Sequence, residues 1–325
     1  MTDTRSSVLI TVDELAGMLR ADATPAPVLL DVRWTLTQPD GREDFASGHI
    51  PGARYVALDT ELSDHSSDDP TRGRHPLPSA DRFEATVRSW GVRAGTPVVV
   101  YDDVAGQGAA RAWWMLRWAG HSDVRVLDGG WSAWRAADLP EETGLPQEAD
   151  PAAASDSAGT SGAGGLFVIR PGSMPSLTAD EAEALAGSGS GVLLDARAPE
   201  RFEGRTEPLD PQAGHIPGAL NAPAGGNTAD GRFRSPAELA EYYRAVGGPS
   251  VAGTPDVTNP DGPAPPTIGA YCGSGVSASH TVLALASIGV EAALFPGSWS
   301  AWSNDTARPV ATGTADDETV HPPQK

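Results

Sequence analysis

The residue with the clearest capacity for chemistry is Cys272, the one cysteine among 325 residues. A lone cysteine forms no internal disulfide and supplies no thiolate cluster for a metal, so its chemical use would be that of a nucleophile. It follows the apolar stretch 267–271 and begins the segment CGSGVSA (272–278), which continues with helical periodicity. This order predicts a strand, a glycine-rich loop and a helix.

Such a loop favours a thiolate. Gly273 and Gly275 allow the backbone to turn so that successive N–H groups point to one place, and the helix adds the positive end of its dipole. At a helix N-terminus the pKa of a cysteine commonly falls from about 8.5 to between roughly 3.5 and 7.5. The competing interpretation is a small core residue, the common state of a free cysteine. The strand, loop and helix around Cys272 favour the nucleophile.

Four segments occur twice in the same order, 164 to 170 residues apart. They are LLDVR (29–33) and LLDAR (193–197), GHIPGA at 48–53 and 214–219, the apolar runs that end at Tyr101 and Tyr271, and DGGWSAW (128–134) and PGSWSAW (296–302). Such a repeat indicates two homologous domains. Asp102 stands in the first half where Cys272 stands in the second, so only the second copy offers a thiol.

In each half, short apolar runs alternate with helical patterns, which predicts an α/β fold with a mainly parallel sheet flanked by helices. Strands are expected at 28–32, 96–101, 192–196 and 267–271, and helices at 12–20, 80–90, 108–119, 178–186, 236–246 and 277–288. The expected organisation is a first domain at 1–143, a flexible linker at 144–165, a second domain at 166–303 and a polar tail at 304–325. The small and polar residues of the linker, of the loop 247–266 and of the tail predict mobile segments.

The composition limits the partners. A formal net charge of −20 repels nucleic acid and anionic membrane surfaces, although a local group of arginines can still bind a small anion. The first thirty residues lack the apolar core of a signal peptide, and no stretch approaches the roughly 18 apolar residues of a membrane span. We therefore expect a cytoplasmic protein with neither nucleic acid nor membrane as a partner.

Together, the paired GHIPGA segments, the GGWSAW and GSWSAW segments and the cysteine loop resemble the tandem-domain rhodanese family of thiosulfate and 3-mercaptopyruvate sulfurtransferases. The resemblance covers the chain except for the linker, the 247–266 loop and the tail. It implies two rhodanese-like α/β domains, the first inactive and the second catalytic, with the site between them. It also implies that Cys272 accepts sulfur from a small anionic donor as a persulfide and passes it to cyanide, a thiol or a protein, without a metal or an organic cofactor.

Within the family, the residues after the cysteine distinguish the donors. Mercaptopyruvate sulfurtransferases typically carry Gly-Ser-Gly-Val-Thr there, and this chain differs only by Ser277. Thiosulfate sulfurtransferases typically carry Arg and Lys, so the alternative is a rhodanese that transfers sulfur from thiosulfate to cyanide or a protein. By resemblance, the residues that surround the donor and persulfide are Gly273, Gly275, Val276, Ser277 and Ala278.

The resemblance also implies which side chains bind and activate the donor. Arg201 matches an arginine that holds the substrate carboxylate, whereas a second arginine, expected after the segment TEP (206–208), is absent and Arg205 is a nearby candidate to replace it. Ser274 would bind or deprotonate the donor, and His49 and Asp40 would complete a relay to it. Because His49 has an identical counterpart in the second half, a role in stabilising the turn is the favoured interpretation for this histidine.

Two other classes fit less well. Cysteine phosphatases need an arginine six positions after the cysteine to hold phosphate, and that position is Ala278. A regulatory rhodanese-like module without activity would suit the first half, where Asp102 replaces the cysteine, but the complete loop of the second half argues against it.

Overall fold

The computed structural model describes residues 4–21, 25–145, 165–189, 191–247 and 267–323. Nearly all of the expected linker and the loop at 248–266 lie outside these residues. Within the described part of the chain, no helix is long and apolar enough to cross a membrane.

The first domain is a five-stranded parallel sheet with helices on both sides. Its strands are β1 (Leu9–Ile10), β2 (Val28–Asp31), β3 (Arg54–Tyr55), β4 (Val98–Tyr101) and β5 (Val124–Leu127), and its helices are α1 (Val12–Arg20), α2 (Arg42–Ser47), α3 (Leu58–Glu61), α4 (Ala80–Ser89), α5 (Gln107–Trp118) and α6 (Gly130–Ala136). The strand order is β1-β5-β4-β2-β3, and every neighbouring pair is parallel.

The second domain repeats this plan around a four-stranded parallel sheet. In chain order it contains α7 (Ala179–Gly187), β6 (Gly191–Asp195), α8 (Pro199–Phe202), β7 (Leu220–Asn221), the antiparallel pair β8 (Thr228–Ala229) and β9 (Arg232–Phe233), α9 (Pro236–Gly247), β10 (Thr267–Tyr271), α10 (Val276–Ser287), β11 (Ala293–Leu294), α11 (Ser298–Trp302), and the antiparallel pair β12 (Val310–Thr312) and β13 (Thr319–His321). The sheet order is β11-β10-β6-β7.

The two domains also share local sequence signals, such as the motif that caps their first helix. Thr11 and Thr178 each begin a helix with a capping box, in which the threonine hydroxyl accepts from the backbone of Glu14 or Glu181 and that glutamate accepts in return. The central strand β4 is buried along its whole length, as is typical of parallel sheets covered on both faces. The predicted α/β fold, with two mainly parallel sheets flanked by helices, is confirmed.

The two domains meet through the helices that follow their equivalent loops. Helix α5 packs against α10, and Trp113 and Trp114 of α5 are fully buried in a core that also contains Val282 and Leu283 of α10. The end of β4 and the end of β10 therefore both lie at the interface between the domains.

The tail differs from the expectation of a mobile segment. Its strands β12 and β13 form a hairpin, and the backbone N–H groups and carbonyls of Ala311 and His215 pair at 2.8 and 2.9 Å. Because the hairpin hydrogen-bonds to the second GHIPGA segment, the residues after α11 are part of the packed structure of the second domain.

Candidate active site

The loop between β10 and α10 holds the Cys272 side chain, which is almost completely buried. Sγ of Cys272 accepts a hydrogen bond from the backbone N–H of Gly275 at 3.1 Å, and the N–H of Cys272 donates to Oγ of Ser298 at 3.1 Å. Gly275 is the N-cap of α10 with φ 84°, a left-handed conformation that glycine adopts without strain. The sulfur therefore faces a backbone donor and the positive end of a helix, and both favour negative charge on it.

A hydrogen-bonded chain leads away from this loop into the first domain. Oγ of Ser274 lies 2.8 Å from Nδ1 of His75, and Nε2 of His75 lies 3.4 Å from Oδ1 of Asp59. The same Asp59 oxygen accepts from the indole N–H of Trp34 at 3.0 Å. The hydrogen bond from His75 is the main cause that lowers the pKa of Asp59, whereas burial lowers the pKa of His75. His75 is therefore a neutral imidazole next to the ionised carboxylate of Asp59, an arrangement that can relay a proton.

The structure does not bring His49 to Ser274, and the same packing holds the histidine of both GHIPGA segments. Nδ1 of His49 lies 2.9 Å from the carbonyl of Phe45 and Nδ1 of His215 lies 2.7 Å from that of Phe202. Each ring stacks on that phenylalanine, with centroids 3.8 and 3.7 Å apart. Nε2 of His49 faces Glu142 at 3.8 Å. His49 thus stabilises a turn, the interpretation that its duplication favoured.

Asp40 does not join the relay either. Its side chain is 61% exposed and pairs with Arg42 at 2.9 Å, and one of its oxygens accepts from the hydroxyl of Tyr55 at 3.3 Å. The carboxylate that contacts His75 is Asp59, so the structure replaces both first-domain residues of the expected relay.

A cavity of about 550 Å³ lies over the cysteine loop and is lined by both domains. Its wall includes the predicted residues Cys272, Gly273, Ser274, Val276, Ser277 and Arg201, together with Trp34, Arg74 and Gln107 of the first domain. Ser277 donates to Oε1 of Gln107 at 2.9 Å, which ties the start of α10 to the start of α5. Ala278 is fully buried in the core between the domains rather than in the cavity wall.

Two arginines reach the cavity beside the cysteine. A Cβ added to Gly273 would lie 2.9 Å from Nη2 of Arg74 and 3.5 Å from Nη1 of Arg201. Arg201 is held by Glu207 at 2.6 Å and by Asp210 at 3.2 Å, and Nη1 of Arg74 pairs with the other oxygen of Asp210. The cavity therefore presents guanidinium groups to a bound anion, each of them also paired with a carboxylate of the second domain.

Arg205, the candidate for the missing arginine, points elsewhere. Its guanidinium is 58% exposed and pairs with Glu203 and Glu200, and it is not among the residues that line the cavity.

A fully buried cation lies behind the loop. Arg111 of α5 donates through Nη2 to the carbonyls of Leu62 (3.3 Å) and His75 (2.9 Å). Within the described part of the chain, its Nε and Nη1 have no hydrogen-bond partner. Burial lowers the pKa of Arg111 to about 10, and the charge of Cys272 acts in the opposite direction. The buried guanidinium therefore adds positive electrostatic potential at the cysteine loop.

The first domain shows this type of loop around the carboxyl group of Asp102, whose pKa is raised by burial. Asp102 follows β4 as Cys272 follows β10, and its carboxylate accepts from the backbone N–H groups of Val104 (2.9 Å), Gly106 (2.8 Å) and Ala109 (3.0 Å). Gly106 is the N-cap of α5 with φ 89°, again left-handed. The loop architecture thus surrounds a carboxylate in one domain and a thiol in the other.

Sequence reasoning missed the first-domain residues His75, Asp59 and Arg74. All three lie between the first GHIPGA segment and β4, in a stretch that has no equivalent among the repeated segments. A usable signal was present: His75 has no counterpart in the second half, whereas His49 does. Residues without a counterpart in the other domain are better candidates for an active site that only one domain retains.

Comparison with known proteins gives consistent results. Residues 11–137 and 178–305 each match the rhodanese-like domain. The Mycobacterium tuberculosis protein named "Putative thiosulfate sulfurtransferase SseB" is 46% identical over 318 residues, which cover 96% of this chain and 99% of that protein. The Pseudomonas aeruginosa protein named "Probable 3-mercaptopyruvate sulfurtransferase" is 39% identical over 312 residues, covering 95% and 99%. The crystal structure of SseA from Escherichia coli, described as a 3-mercaptopyruvate sulfotransferase, superimposes with a TM-score of 0.71 at 28% identity, covering 90% of this chain and 99% of that one.

The chain belongs to the rhodanese family, in its tandem form with two rhodanese-like domains, as the resemblance predicted. Its full-length relatives are named as sulfurtransferases, and the chain is an enzyme of that kind.

Proposed function

We propose that the protein takes sulfur from 3-mercaptopyruvate, holds it as a persulfide on Cys272 and passes it to a thiophilic acceptor. The observation that carries the proposal is the relay from Ser274 through His75 to Asp59, at 2.8 and 3.4 Å. Mercaptopyruvate carries a thiol proton that must move during the reaction, whereas thiosulfate has none at neutral pH. A proton relay beside the nucleophile therefore favours the thiol donor.

The first half-reaction balances without a cofactor. The Cys272 thiolate attacks the donor sulfur, a sulfur–sulfur bond forms, and the carbon–sulfur bond breaks with its electron pair going to carbon, so pyruvate leaves as its enolate. The thiol proton passes through Ser274 to His75, which is neutral because burial lowers its pKa, and then returns to the enolate. The products are pyruvate and a persulfide anion on Cys272.

In the second half-reaction the acceptor attacks the outer sulfur of the persulfide, and the Cys272 thiolate leaves. With cyanide the product is thiocyanate, and with a thiol it is a new persulfide. The Gly275 N–H that contacts Sγ at 3.1 Å and the start of α10 stabilise the sulfur anion in both states. A small thiol, cyanide and a protein thiol all suit this step chemically.

A second donor is favoured by one observation, the name of the Mycobacterium tuberculosis relative, a putative thiosulfate sulfurtransferase. Arg201 and Arg74 would hold its sulfonate, as they would hold a carboxylate. Against this alternative, the loop residues 273–278 carry no cation of their own, and the proton relay would have no use.

The test is steady-state sulfur transfer to cyanide with the two donors side by side, with Cys272→Ser as the blank. We expect a kcat/KM for mercaptopyruvate at least about 100-fold above that for thiosulfate, because the relay contributes only with the thiol donor. The loaded intermediate is checked by mass spectrometry as one added sulfur atom on the wild-type chain. A preference for thiosulfate, or activity that survives in Cys272→Ser, would contradict the proposal.

We also propose a cytoplasmic location, which the lone cysteine supports, since proteins of oxidising compartments commonly carry cysteines paired in disulfides. Cell fractionation followed by immunoblotting tests it, and recovery of the protein with membranes or outside the cell would contradict it.

A further inference from the structure

Ser298 contacts the backbone of Cys272 from behind the cysteine loop. Its hydroxyl group accepts the N–H of Cys272 at 3.1 Å and donates to the carbonyl of Phe295 at 2.9 Å. Because the hydroxyl hydrogen is used on Phe295, a lone pair of the oxygen is left for the Cys272 N–H. Ser298 is fully buried, so bulk water does not compete for this hydrogen bond.

The two residues after Ser298 hold the same stretch of backbone. The N–H of Trp299 donates to the carbonyl of Cys272 at 2.9 Å, and the N–H of Ser300 donates to the carbonyl of Gly273 at 2.9 Å. The start of α11 therefore binds both the N–H and the carbonyl of Cys272. With the backbone held on both sides of Cα, the direction of the Cα–Cβ bond is fixed, and with it the positions that Sγ can reach.

Ser298 makes this contact from an unfavourable backbone conformation. Its φ is 55°, in the left-handed region that residues with a Cβ rarely adopt. Strain of this kind persists only where the surrounding structure imposes it, and it is concentrated at functional sites. A glycine at this position would remove the strain, so the presence of serine points to a use of its hydroxyl group.

The first domain has that glycine. Gly130 takes the place of Ser298 in the repeated segment and has φ 56°. The N–H of the tryptophan that follows Gly130 donates to the carbonyl of Asp102 at 2.8 Å, as the N–H of Trp299 does to that of Cys272. The backbone contact is therefore common to both domains, whereas the hydroxyl group occurs only in the domain with the cysteine.

We propose that Ser298 is a positioning residue for the nucleophile, whose hydroxyl group fixes the Cys272 backbone so that Sγ is aligned with the donor sulfur. The inference rests on the function proposed above, in which Cys272 takes up sulfur, and adds a residue that lies outside the cavity wall. A displacement of about 1 Å at a reacting atom can slow a reaction by about 100-fold. Loss of the hydroxyl group should therefore slow the chemical step and leave donor binding unchanged.

The test compares Ser298→Gly and Ser298→Ala with the wild type in single-turnover formation of the persulfide from mercaptopyruvate, followed by mass spectrometry. Both variants should lower the maximal rate by about 10- to 100-fold. The donor concentration that gives half of the maximal rate should stay within about twofold of the wild-type value, because the cavity wall is intact.

Denaturant unfolding of the same variants separates positioning from stability. Both variants lack the hydroxyl group, but only glycine adopts a φ near 55° without strain, so Ser298→Gly should be more stable than Ser298→Ala. If Ser298 only stabilised the fold, the loss of rate would follow the loss of stability, and Ser298→Gly would react nearly as fast as the wild type.

The matched control is Ser303→Ala. Ser303 follows the last residue of the same helix and is also buried, but its hydroxyl group has no hydrogen-bond partner among the described residues. This variant should keep the wild-type maximal rate and the wild-type dependence on donor concentration.

A maximal rate for Ser298→Gly within about twofold of the wild type overturns the inference, because the hydroxyl group is then dispensable. If the wild type takes sulfur from thiosulfate and not from mercaptopyruvate, the proposed donor is wrong, and the variants should show the same loss with thiosulfate. A wild type that takes sulfur from neither donor would overturn the proposed function, and this inference with it.

Discussion

At the scale of single residues, the chemistry depends on groups whose charge is set by their surroundings. His75 is 7% exposed, and its burial outweighs the hydrogen bond that it donates to Asp59, so that its pKa is lowered. A histidine that stays neutral at pH 7 can accept the proton that Ser274 passes on. The enzyme thereby keeps a base available without exposing it to water.

The pH dependence of donor consumption tests this role. Below its pKa His75 is protonated and cannot accept a proton, so the rate should fall on the acid side, at a pH below the ordinary histidine value of about 6.5. His75→Asn should lower kcat/KM for mercaptopyruvate by about 10²- to 10⁴-fold and remove this acid limb. The measurement is single-turnover formation of the Cys272 persulfide between pH 4.5 and 8.

His49→Asn is the control, because His49 is also buried but contacts Phe45 and Glu142 rather than Ser274. It should retain the acid limb. An unchanged pH profile in His75→Asn would refute the relay.

At the scale of elements, one unit of strand, loop and helix is used twice. Each loop ends in a left-handed glycine that caps the next helix, Gly106 before α5 and Gly275 before α10. At Gly275 both the backbone conformation and the available space require glycine, since an added Cβ would lie 2.5 Å from the carbonyl oxygen of Pro296. No other residue fits this position without movement of the backbone that places Cys272.

Comparison of Gly275→Ala with Gly289→Ala separates the cost of the left-handed backbone conformation from the cost of the steric clash. Gly289, just after the same helix, has φ 80°, but its nearest contact to an added Cβ is 3.7 Å away. Gly289→Ala should cost about 1–2 kcal/mol of unfolding free energy, from conformation alone. Gly275→Ala should cost clearly more and should also abolish persulfide formation. Denaturant unfolding and mass spectrometry of the loaded protein give the two quantities. Equal losses of stability, with loading intact in both, would show that the close approach to Pro296 is unimportant.

At the scale of the whole molecule, residues of the first domain surround the cysteine loop of the second. Helix α5 packs on α10, and its Arg111 lies fully buried behind the cysteine loop, where an added Cβ on Gly275 would be 3.1 Å from Nη1. The first domain, in which Asp102 stands in place of the cysteine, thus places a histidine, a guanidinium in the cavity wall and a buried cation around the cysteine loop.

Arg111→Met should reduce the reactivity of Cys272. Without the cation the positive potential at Sγ is lower, so the attacking sulfur anion is less stabilised, and alkylation by iodoacetamide should slow by about tenfold or more. Methionine fills a similar volume without a charge to desolvate, so the folded structure should persist by circular dichroism. Arg117→Met on the same helix is the control: Arg117 lies over the ring of Trp113 and should leave alkylation unchanged. Equal alkylation rates in both variants would contradict the role of Arg111.

The sequence was sufficient to predict the fold and the cysteine loop of the site, because both follow from local patterns that occur twice. The apolar runs predicted β4 and β10, and the glycines after Cys272 predicted the loop. The place of His75 and Arg74 beside the cysteine loop depends on how the domains pack, which no local pattern encodes, and only the lack of a counterpart in the second half marked His75 as a candidate. The hairpin of β12 and β13 was missed because each strand has only three residues, too few for a periodicity to be visible.

The carboxylate of Asp102, surrounded by three backbone N–H groups, has a consequence for the energetics of turnover. The first loop is permanently filled by a carboxyl group that belongs to the chain, whereas on the proposed function the second loop gains its outer sulfur atom only between the two half-reactions. On that function the attached sulfur acts as a tethered ligand of the native state, and ligands of this kind stabilise the form that binds them. The persulfide form is then the more stable species, and each delivery of sulfur returns the protein to a less stable resting form.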